Sequence, residues 1–411
     1  MAERIVITGR GVISPLGNDV GTFWDRLTAG VSGIRQVRGP ETEGLPVRIA
    51  GVVSDFDPLA YMDAKTAHRS SRFVQFAVAA AHQAVVEAHL GPASVDPYRL
   101  AVVMNSGGGG MKDVGQGALD LAARGPGRLS PFLVPSLIPN MGACQVAIQL
   151  GARGPVVASY AACAAGLYAV IEAAQLLQSG EADIVVAGAA EAALMPLTFA
   201  GLGRMGALSR RNDDPEHACR PFDRDRDGFV FGEGAAAFVL ERETQARQRG
   251  ARPLAVVAGG ARTSDAYHVA APDPSGDAAA RAMTGALRQA GCQPSDLDYI
   301  CAHGTGTPLN DVAETRALKR ALGPAAYHIP VSSPKSMVGH LLGAAGAISV
   351  LTVIQTLNDG VVPPTINLDH PDPLCDLDYV PGRSRVHAVR TAMANGFGFG
   401  GQNAVAVLTR T

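Results

Sequence analysis

Four short segments of the chain carry residue types at spacings that could do chemistry. In residues 159–167, SYAACAAGL, Cys163 stands where a strand-like run passes into a helix-like one. A thiol at a helix N-terminus faces the positive end of the helix dipole, which lowers its pKa and raises its thiolate fraction. The small neighbours Ala161, Ala162, Ala164, Ala165 and Gly166 permit a sharp turn and close approach of a substrate. The same segment also reads as a buried structural cysteine, because free cysteine is among the most buried residue types. In residues 301–311, CAHGTGTPLND, His303 follows an apolar run directly. It is expected at the carboxyl end of a buried strand, where ligand and catalytic groups collect in α/β proteins. Thr305 and Thr307 add hydroxyls beside it; a turn-capping histidine is the alternative. In residues 332–346, SSPKSMVGHLLGAAG, Lys335 and His340 lie at another strand-to-helix junction, which internal repetition equates with the position of Cys163. A buried ammonium needs a partner, and Asp311 or Glu314 is the expected one. In residues 395–403, NGFGFGGQN, four glycines mark a tight turn between two strands, with Phe397 and Phe399 as bulky exceptions.

Two further patterns imitate sites. Gly396, Gly398 and Gly401 fit G-x-G-x-x-G, but a dinucleotide fingerprint requires a following helix within a βαβ unit. Only ten residues follow Gly401. In residues 223–234, DRDRDGFVFGEG, Asp223, Asp225, Asp227 and Gly228 imitate the start of a calcium loop. Position twelve, where the bidentate acid belongs, is Gly234, and Glu233 arrives one residue early. The alternating Asp and Arg are expected to pair with each other. No G-x-x-x-x-G-K-[ST] or H-E-x-x-H occurs, and no metal is expected.

These residues need a scaffold, and the composition bounds it. The 411 residues are 47% hydrophobic and 18% charged, enough for a large core and against disorder. Lys+Arg of 35 against Asp+Glu of 37 leaves a net charge of −2, which argues against a nucleic-acid-binding surface. Six scattered cysteines, with no CxxC, suit a reducing compartment better than a disulfide framework. No secretory h-region and no run near 18 apolar residues is present, so a cytoplasmic protein without membrane association is expected. Val- and Ile-rich runs at 4–9, 100–106, 156–161, 182–188, 254–260, 298–304 and 328–333 read as buried strands. Helical spacing at 73–89, 164–179, 277–290 and 341–357 alternates with them, which predicts α/β architecture. Residues 156–177 and 329–357 share one plan: a strand, a small-residue turn, then an Ala/Gly-rich helix. This suggests duplication into two halves, 1–250 and 251–411, with the boundary in the polar stretch 244–252. Residues 125–135 and 271–277 are expected to be loops over one face.

SYAACAAG, AHGTGTPLND, KSMVGHLLGAAG and NGFGFGGQN, together with RPFDRDRDGFVFGEGA, occur in an order and spacing that resembles β-ketoacyl-acyl-carrier-protein synthases of the KAS I/II type. The similarity runs from Ile5 to Leu408. It implies the thiolase fold, a duplicated αβαβα five-layer α/β architecture, and a condensing acyltransferase. Carried over, Cys163 matches the nucleophile that takes an acyl group from acyl carrier protein. His303 and His340 match the pair serving decarboxylation of the malonyl unit and condensation. Lys335 matches their electrostatic support, and Glu314 the nearby carboxylate. The amides of Cys163 and Phe399 match the oxyanion hole, and Phe399 also the gating residue of the glycine-rich loop, with Phe397 beside it. Thr305 and Thr307 match hydroxyls that contact pantetheine. No cofactor is implied beyond the phosphopantetheine arm that carries the substrates.

The sequence departs from the family pattern at several points. Ala161 and Ala165 replace two hydroxyl residues around the nucleophile, and Ala270 replaces a threonine of the pantetheine path. Gly108 stands where a bulky aliphatic often narrows the acyl pocket, which points to longer or stiffer acyl chains and so to polyketide or polyene synthesis. Housekeeping fatty-acid elongation is the alternative. Lys65, Arg69, Arg72, Arg124, Arg128 and Arg204 are candidates for docking an acidic carrier protein, against the plainer reading of solvated surface charge. Partners expected from the resemblance are the carrier protein and a second subunit, identical or a chain-length factor. A non-catalytic chain-length factor would lack the cysteine, a thiolase would carry a second cysteine near the C-terminus, and a KAS III-type enzyme would carry Asn where His340 stands.

Overall fold

Val-, Ile- and Ala-rich runs bounded by glycine or proline supply the strands of the protein. Its computed structural model describes residues 3–39, 42–91 and 95–411. Ten strands form the main sheet: β1 (Ile5–Ile13), β2 (Leu100–Asn105), β3 (Val156–Val157), β4 (Ile184–Glu191), β5 (Gly234–Arg242), β6 (Ala255–Ser264), β7 (Tyr299–Cys301), β8 (Val331–Ser332), β9 (Thr391–Gly398) and β10 (Gln402–Thr409). Their order is β3-β2-β4-β5-β1-β6-β10-β9-β7-β8. The centre is a short antiparallel join, from Ile5 opposite Val257 to Ile7 opposite Ala255. Outward from it, each half makes two antiparallel pairings and then two parallel ones. The same five-strand unit is therefore present twice.

Helices complete five layers in the order αβαβα. Helices α1 (Arg72–Glu87) and α2 (Met141–Leu150) cover the outer face of the first half. Helices α3 (Ala165–Gln178) and α6 (Ala345–Asp359) pack on each other in the middle layer. Helices α4 (Asp277–Ala290) and α5 (Pro308–Leu322) lie over the second half. Every residue of α6 from Ala345 to Leu357 is buried, as expected of a helix apolar on all sides. Glycine brings the two middle helices together: a Cβ on Gly166 would lie 2.2 Å from the Ala347 amide, and one on Gly346 2.7 Å from the Leu167 amide.

These contacts correct the expected equivalence of the repeats. The 3-10 turns Ala162–Ala164 and Leu342–Ala344 lead into α3 and α6 in the same way. Each contains a non-glycine residue with positive φ, Ala162 at 43° and Leu342 at 41°. The residue matching Cys163 is thus Gly343, and Lys335 and His340 lie upstream of it. The strained turn belongs to the duplicated unit, whereas the thiol is found in one copy only.

Other expectations shift for physical reasons. Strand β3 ends at Val157 because Ser159 is drawn aside, its amide donating to Asn105 Oδ1 and its hydroxyl to Glu172 Oε1, both at 2.7 Å. The alanine run of β5 and the polar-rich helix α5 hide their periodicity and escape a pattern reading. The polar stretch at 244–252 is no open linker: it overlaps a short helix, Glu243–Gln248, and Arg249 is ion-paired to buried Glu241 at 2.5 Å. Among the described residues no helix is long and apolar enough to cross a membrane.

Candidate active site

Cys163 occupies the 3-10 turn before α3, with 4% of its surface exposed. Cys163 thus stands directly before a helix start, as expected. Burial dominates, however, and pushes the thiol up to about 12, while the Lys335 charge and the amides of Phe399 and Cys163 pull it down. This corrects the expected thiolate: desolvation of a fully enclosed sulfur exceeds the stabilisation that one helix end supplies. The amides of Cys163 and Phe399 both reach Sγ, so two donors converge on one point. Gly398 makes this possible, since a Cβ there would lie 2.8 Å from the Ala161 carbonyl oxygen.

His303 lies just past β7, at the carboxyl end of the strand, and is buried. His340 follows the short helix Lys335–Val338, held by its amide donating 2.7 Å to the Val230 carbonyl. The two rings cross at 83° with centroids 5.4 Å apart. Phe397 flanks His303 at 5.5 Å and Phe229 flanks His340 at 5.1 Å. Burial drives both imidazoles well below their ordinary pKa, and the Lys335 charge adds to this. Both are neutral near pH 7. His340 Nδ1 is buried without a hydrogen-bond partner, a free ring nitrogen in the site.

Lys335 is buried and donates from Nζ to the His303 carbonyl at 2.5 Å. None of the ion pairs among the described residues includes it, which corrects the expected pairing with Asp311 or Glu314. Glu314 instead accepts from the amides of His303 and Gly304 at 2.8 and 2.7 Å and from Asn395 Nδ2 at 3.1 Å. Burial raises its pKa, and those three donors oppose the rise. The geometry gives Glu314 a positioning part behind the His303 backbone. Asp311 supports the next turn, taking the amides of Thr305 and Gly306 at 3.1 and 3.2 Å.

Cys163, His303 and His340 share one cleft of about 410 Å³ with Thr305, Thr307, Phe397 and Phe399. Phe399, 37% exposed, is one of three large exposed apolar side chains lining the cleft, with Met205 and Leu309. His268, Ala270 and Ala271 complete the rim, so the residue replacing a threonine faces the cleft without a hydroxyl. Gly108 is not among the lining residues. A Cβ on it would meet Glu191 Oε1 at 2.9 Å, Ala193 Cβ at 3.4 Å and Met111 Cε at 3.5 Å.

Glu191 was not singled out from the sequence, although a lone acid in the run VVAGAAEAAL was the available signal. Its Oε2 takes the amides of Gly107, Gly108 and Gly343 at 2.9, 3.0 and 3.2 Å, tying the two halves together. Its Oε1 has no partner, and burial raises the carboxyl pKa to about 7.

The basic candidates separate by their contacts. Lys65 and Arg69 are exposed on the short helix Ala64–Arg69, with the Arg69 guanidinium 4.1 Å from the Phe132 ring centroid. Arg72 forms a forked pair with Glu233, at 2.9 and 3.1 Å, and also donates to the Val53 carbonyl. That occupation is a correction, since Arg72 is structurally engaged. Arg124 and Arg128 are exposed, and Arg124 has Asp120 at 4.0 Å. Arg204, exposed, ends a helix whose next residues, Met205 and Gly206, line the cleft.

The aspartate-rich stretch corrects the expected internal pairing: only Arg224 and Asp225 pair within it, and its other charges find partners elsewhere, Arg226 with Asp311 and Asp372. Arg220 binds Asp223 at 3.1 Å, Arg224 lies 3.5 Å from Asp225, and Arg211 lies 3.8 Å from Asp227. Asp223, Asp225 and His370 are close enough to hold a cation together. Each already has partners: Asp223 takes Arg220 and three amides, and Asp225 takes His370 Nδ1 at 2.8 Å.

Residues 2–246 match the family described as Beta-ketoacyl synthase, N-terminal domain, and residues 254–369 match Beta-ketoacyl synthase, C-terminal domain. The 3-oxoacyl-[acyl-carrier-protein] synthase 2 of Synechocystis sp. is 47% identical over 401 residues, covering 98% of this chain and 96% of the relative. Two solved structures cover both chains completely. One is the ishigamide ketosynthase/chain length factor, at TM-score 0.94 and 35% identity. The other is a type II PKS acyl-carrier protein in complex with its ketosynthase bound to the hexaketide, at TM-score 0.93 and 34% identity.

Proposed function

The chain belongs to the β-ketoacyl synthase family, a family of condensing acyltransferases, and on that premise we propose the roles of its residues and the substrates it takes. Cys163 attacks a carrier-bound acyl thioester. The new S–C bond forms, the bond to the carrier sulfur breaks, and the carrier thiol leaves with the proton Cys163 gives up. Malonyl thioester then loses CO2. The electron pair of the broken C–C bond passes to the α-carbon as an enolate, whose oxygen is met by the neutral imidazoles of His303 and His340. The α-carbon attacks the acyl group on Cys163, the C–S bond breaks, and the released thiolate takes a proton from solvent to restore the thiol. The amides of Cys163 and Phe399 hold the oxyanion of each tetrahedral intermediate. No free cofactor enters, because decarboxylation provides the electron pair. The observation that carries this reading is the shared cleft: one thiol, two neutral imidazoles and two converging amides. The test is intact-protein mass after mixing with acyl-loaded carrier protein, then product mass after adding malonyl carrier. An acyl increment followed by a chain longer by one two-carbon unit supports it; an unmodified, folded protein with every donor overturns it.

We read the acyl chain as a polyketide or polyene intermediate, supported by the likeness over the whole chain to a type II PKS ketosynthase. Gly108→Ile is expected to shorten the product profile, measured by mass spectrometry of released chains. Its Cβ would press on Glu191 Oε1, so Gly108→Ala serves as the control for packing. An unchanged chain-length profile would sink the reading. Fatty-acid elongation is the second reading, favoured by the 47% identity to a 3-oxoacyl-[acyl-carrier-protein] synthase 2 over nearly the whole chain. The partners proposed are acyl carrier protein and a second subunit, either a copy of this chain or a chain-length factor. Exposed Lys65 and Arg69 are proposed to meet the carrier, with Arg124, Arg128 and Arg204 as secondary contacts. Reversing the charge of Lys65 and Arg69 together is expected to slow acylation by loaded carrier roughly tenfold at low salt, with the difference shrinking as salt rises. Acylation by free acyl-pantetheine should not change; stopped-flow or quenched acylation rates decide.

A further inference from the structure

Arg226 is a buried arginine that lines no part of the cleft, and its side chain is only 3% exposed. Each of its three side-chain nitrogens donates. Nη1 donates to the Asp223 carbonyl at 2.6 Å and to Asp372 Oδ2 at 2.7 Å. Nε donates to the Thr307 carbonyl at 3.1 Å, and Nη2 to the Pro308 carbonyl at 3.2 Å. Asp311 Oδ2 lies 3.5 Å from Nε, while its Oδ1 takes the amides of Thr305 and Gly306 on the other side of the same turn. The turn needs such bracing. Gly306 has φ of 76°, and its carbonyl accepts from the Gly228 amide at 3.2 Å. Within it the Thr305 and Thr307 hydroxyls lie 2.9 Å apart, and Thr307 Oγ1 also caps α5 by accepting from the Asn310 amide at 3.3 Å.

We infer that Arg226 is a positioning residue for the thiol-bearing arm of the substrate, acting through the turn of residues 305–308. The inference rests on the proposed reading that Thr305 and Thr307 meet that arm. Two hydroxyls bonded to each other present fixed donors and acceptors to the amides of a pantetheine chain only while the backbone beneath them is fixed. Arg226 clamps the Thr307 and Pro308 carbonyls from below, and Asp311 clamps the Thr305 and Gly306 amides from the side. A lysine would keep the charge but supply no planar fork for four acceptors. Arg226 therefore bears on substrate recognition without contacting substrate.

The test compares two acyl donors that differ in the arm alone: acyl-pantetheine, and the ethanethiol thioester of the same acid. The rate of mass gain at Cys163 is measured for wild type, Arg226→Lys and Asp372→Asn. Arg226→Lys is expected to lower the preference for the pantetheine donor about tenfold, and Asp372→Asn, which removes one anchor, about threefold. The rise should lie in KM for acyl-pantetheine, and alkylation of Cys163 by iodoacetamide should match wild type. Equal losses with both donors, or an unchanged preference in a folded variant, would overturn the inference as mere structural support. Should Arg226→Lys not fold, the Asp372→Asn ratio alone decides. A wild type acylated equally fast by both donors overturns the arm reading and this inference with it, leaving the condensing activity intact. A wild type acylated by neither overturns this inference, and one left unmodified by loaded carrier as well overturns the proposed function itself.

Discussion

Replacing Cys163 by alanine is expected to abolish the acyl-enzyme and to lower condensation by at least about 10³-fold, the usual cost of deleting a covalent nucleophile. Intact mass would show the acyl increment in wild type and none in the variant. Decarboxylation of malonyl thioester should survive, because His303 and His340 are untouched, and CO2 release separates the two steps. The state of the sulfur makes a sharper claim. Burial holds the thiol up to about 12, so Cys163 rests protonated and loses its proton only as it attacks. Its alkylation by iodoacetamide should therefore keep rising through pH 9 without levelling off near neutrality. A plateau between pH 6 and 8 would restore the thiolate that a helix N-terminus leads one to expect.

His340→Ala is expected to slow malonyl decarboxylation by about 10²–10³-fold, the scale of losing one oxyanion donor, while acylation of Cys163 proceeds. The pH dependence follows from the depressed imidazoles. Each is neutral in the fold down to well below the ordinary histidine value, since burial and the Lys335 charge both oppose protonation. The decarboxylation rate should thus be flat from pH 8 to pH 6, with its acid loss only at lower pH. Stability carries the same sign. The unfolded chain binds protons at these histidines below about 6.5 and the folded chain does not, so their contribution is present above that value and lost as pH falls. An acid limb centred at 6.5 in the rate would contradict neutral donors held by burial.

Much of the site is legible locally. Cys163, His303 and His340 each stand at a junction between an apolar run and a small-residue or glycine turn, and such junctions are set by residues close along the chain. The alternation of strand and helix follows from periodicities of two and 3.6, and the false calcium loop is exposed by a single misplaced acid. Other features resist a pattern reading. Strand β5 opens on a run of alanines and helix α5 mixes polar residues among its apolar ones, so neither shows a clear face. Arg72 reads as a free surface cation until Glu233, 161 positions away, is found beneath it.

Residue identity and local spacing thus settle which groups can react and which turns present them. The folded packing settles what state those groups are in. Whether Cys163 is a thiol or a thiolate depends on how completely the second half encloses it, and the helix end that precedes α3 is outweighed by that desolvation. Lys335 bonds to a carbonyl instead of a carboxylate because Glu314 is already taken up by the His303 and Gly304 amides. Gly343, not His340, proves to be the counterpart of Cys163, because each follows the positive-φ residue of a matching 3-10 turn. Charge state and partner choice are long-range properties: they arise from dielectric surroundings and contacts between residues far apart in the chain, which no local spacing encodes.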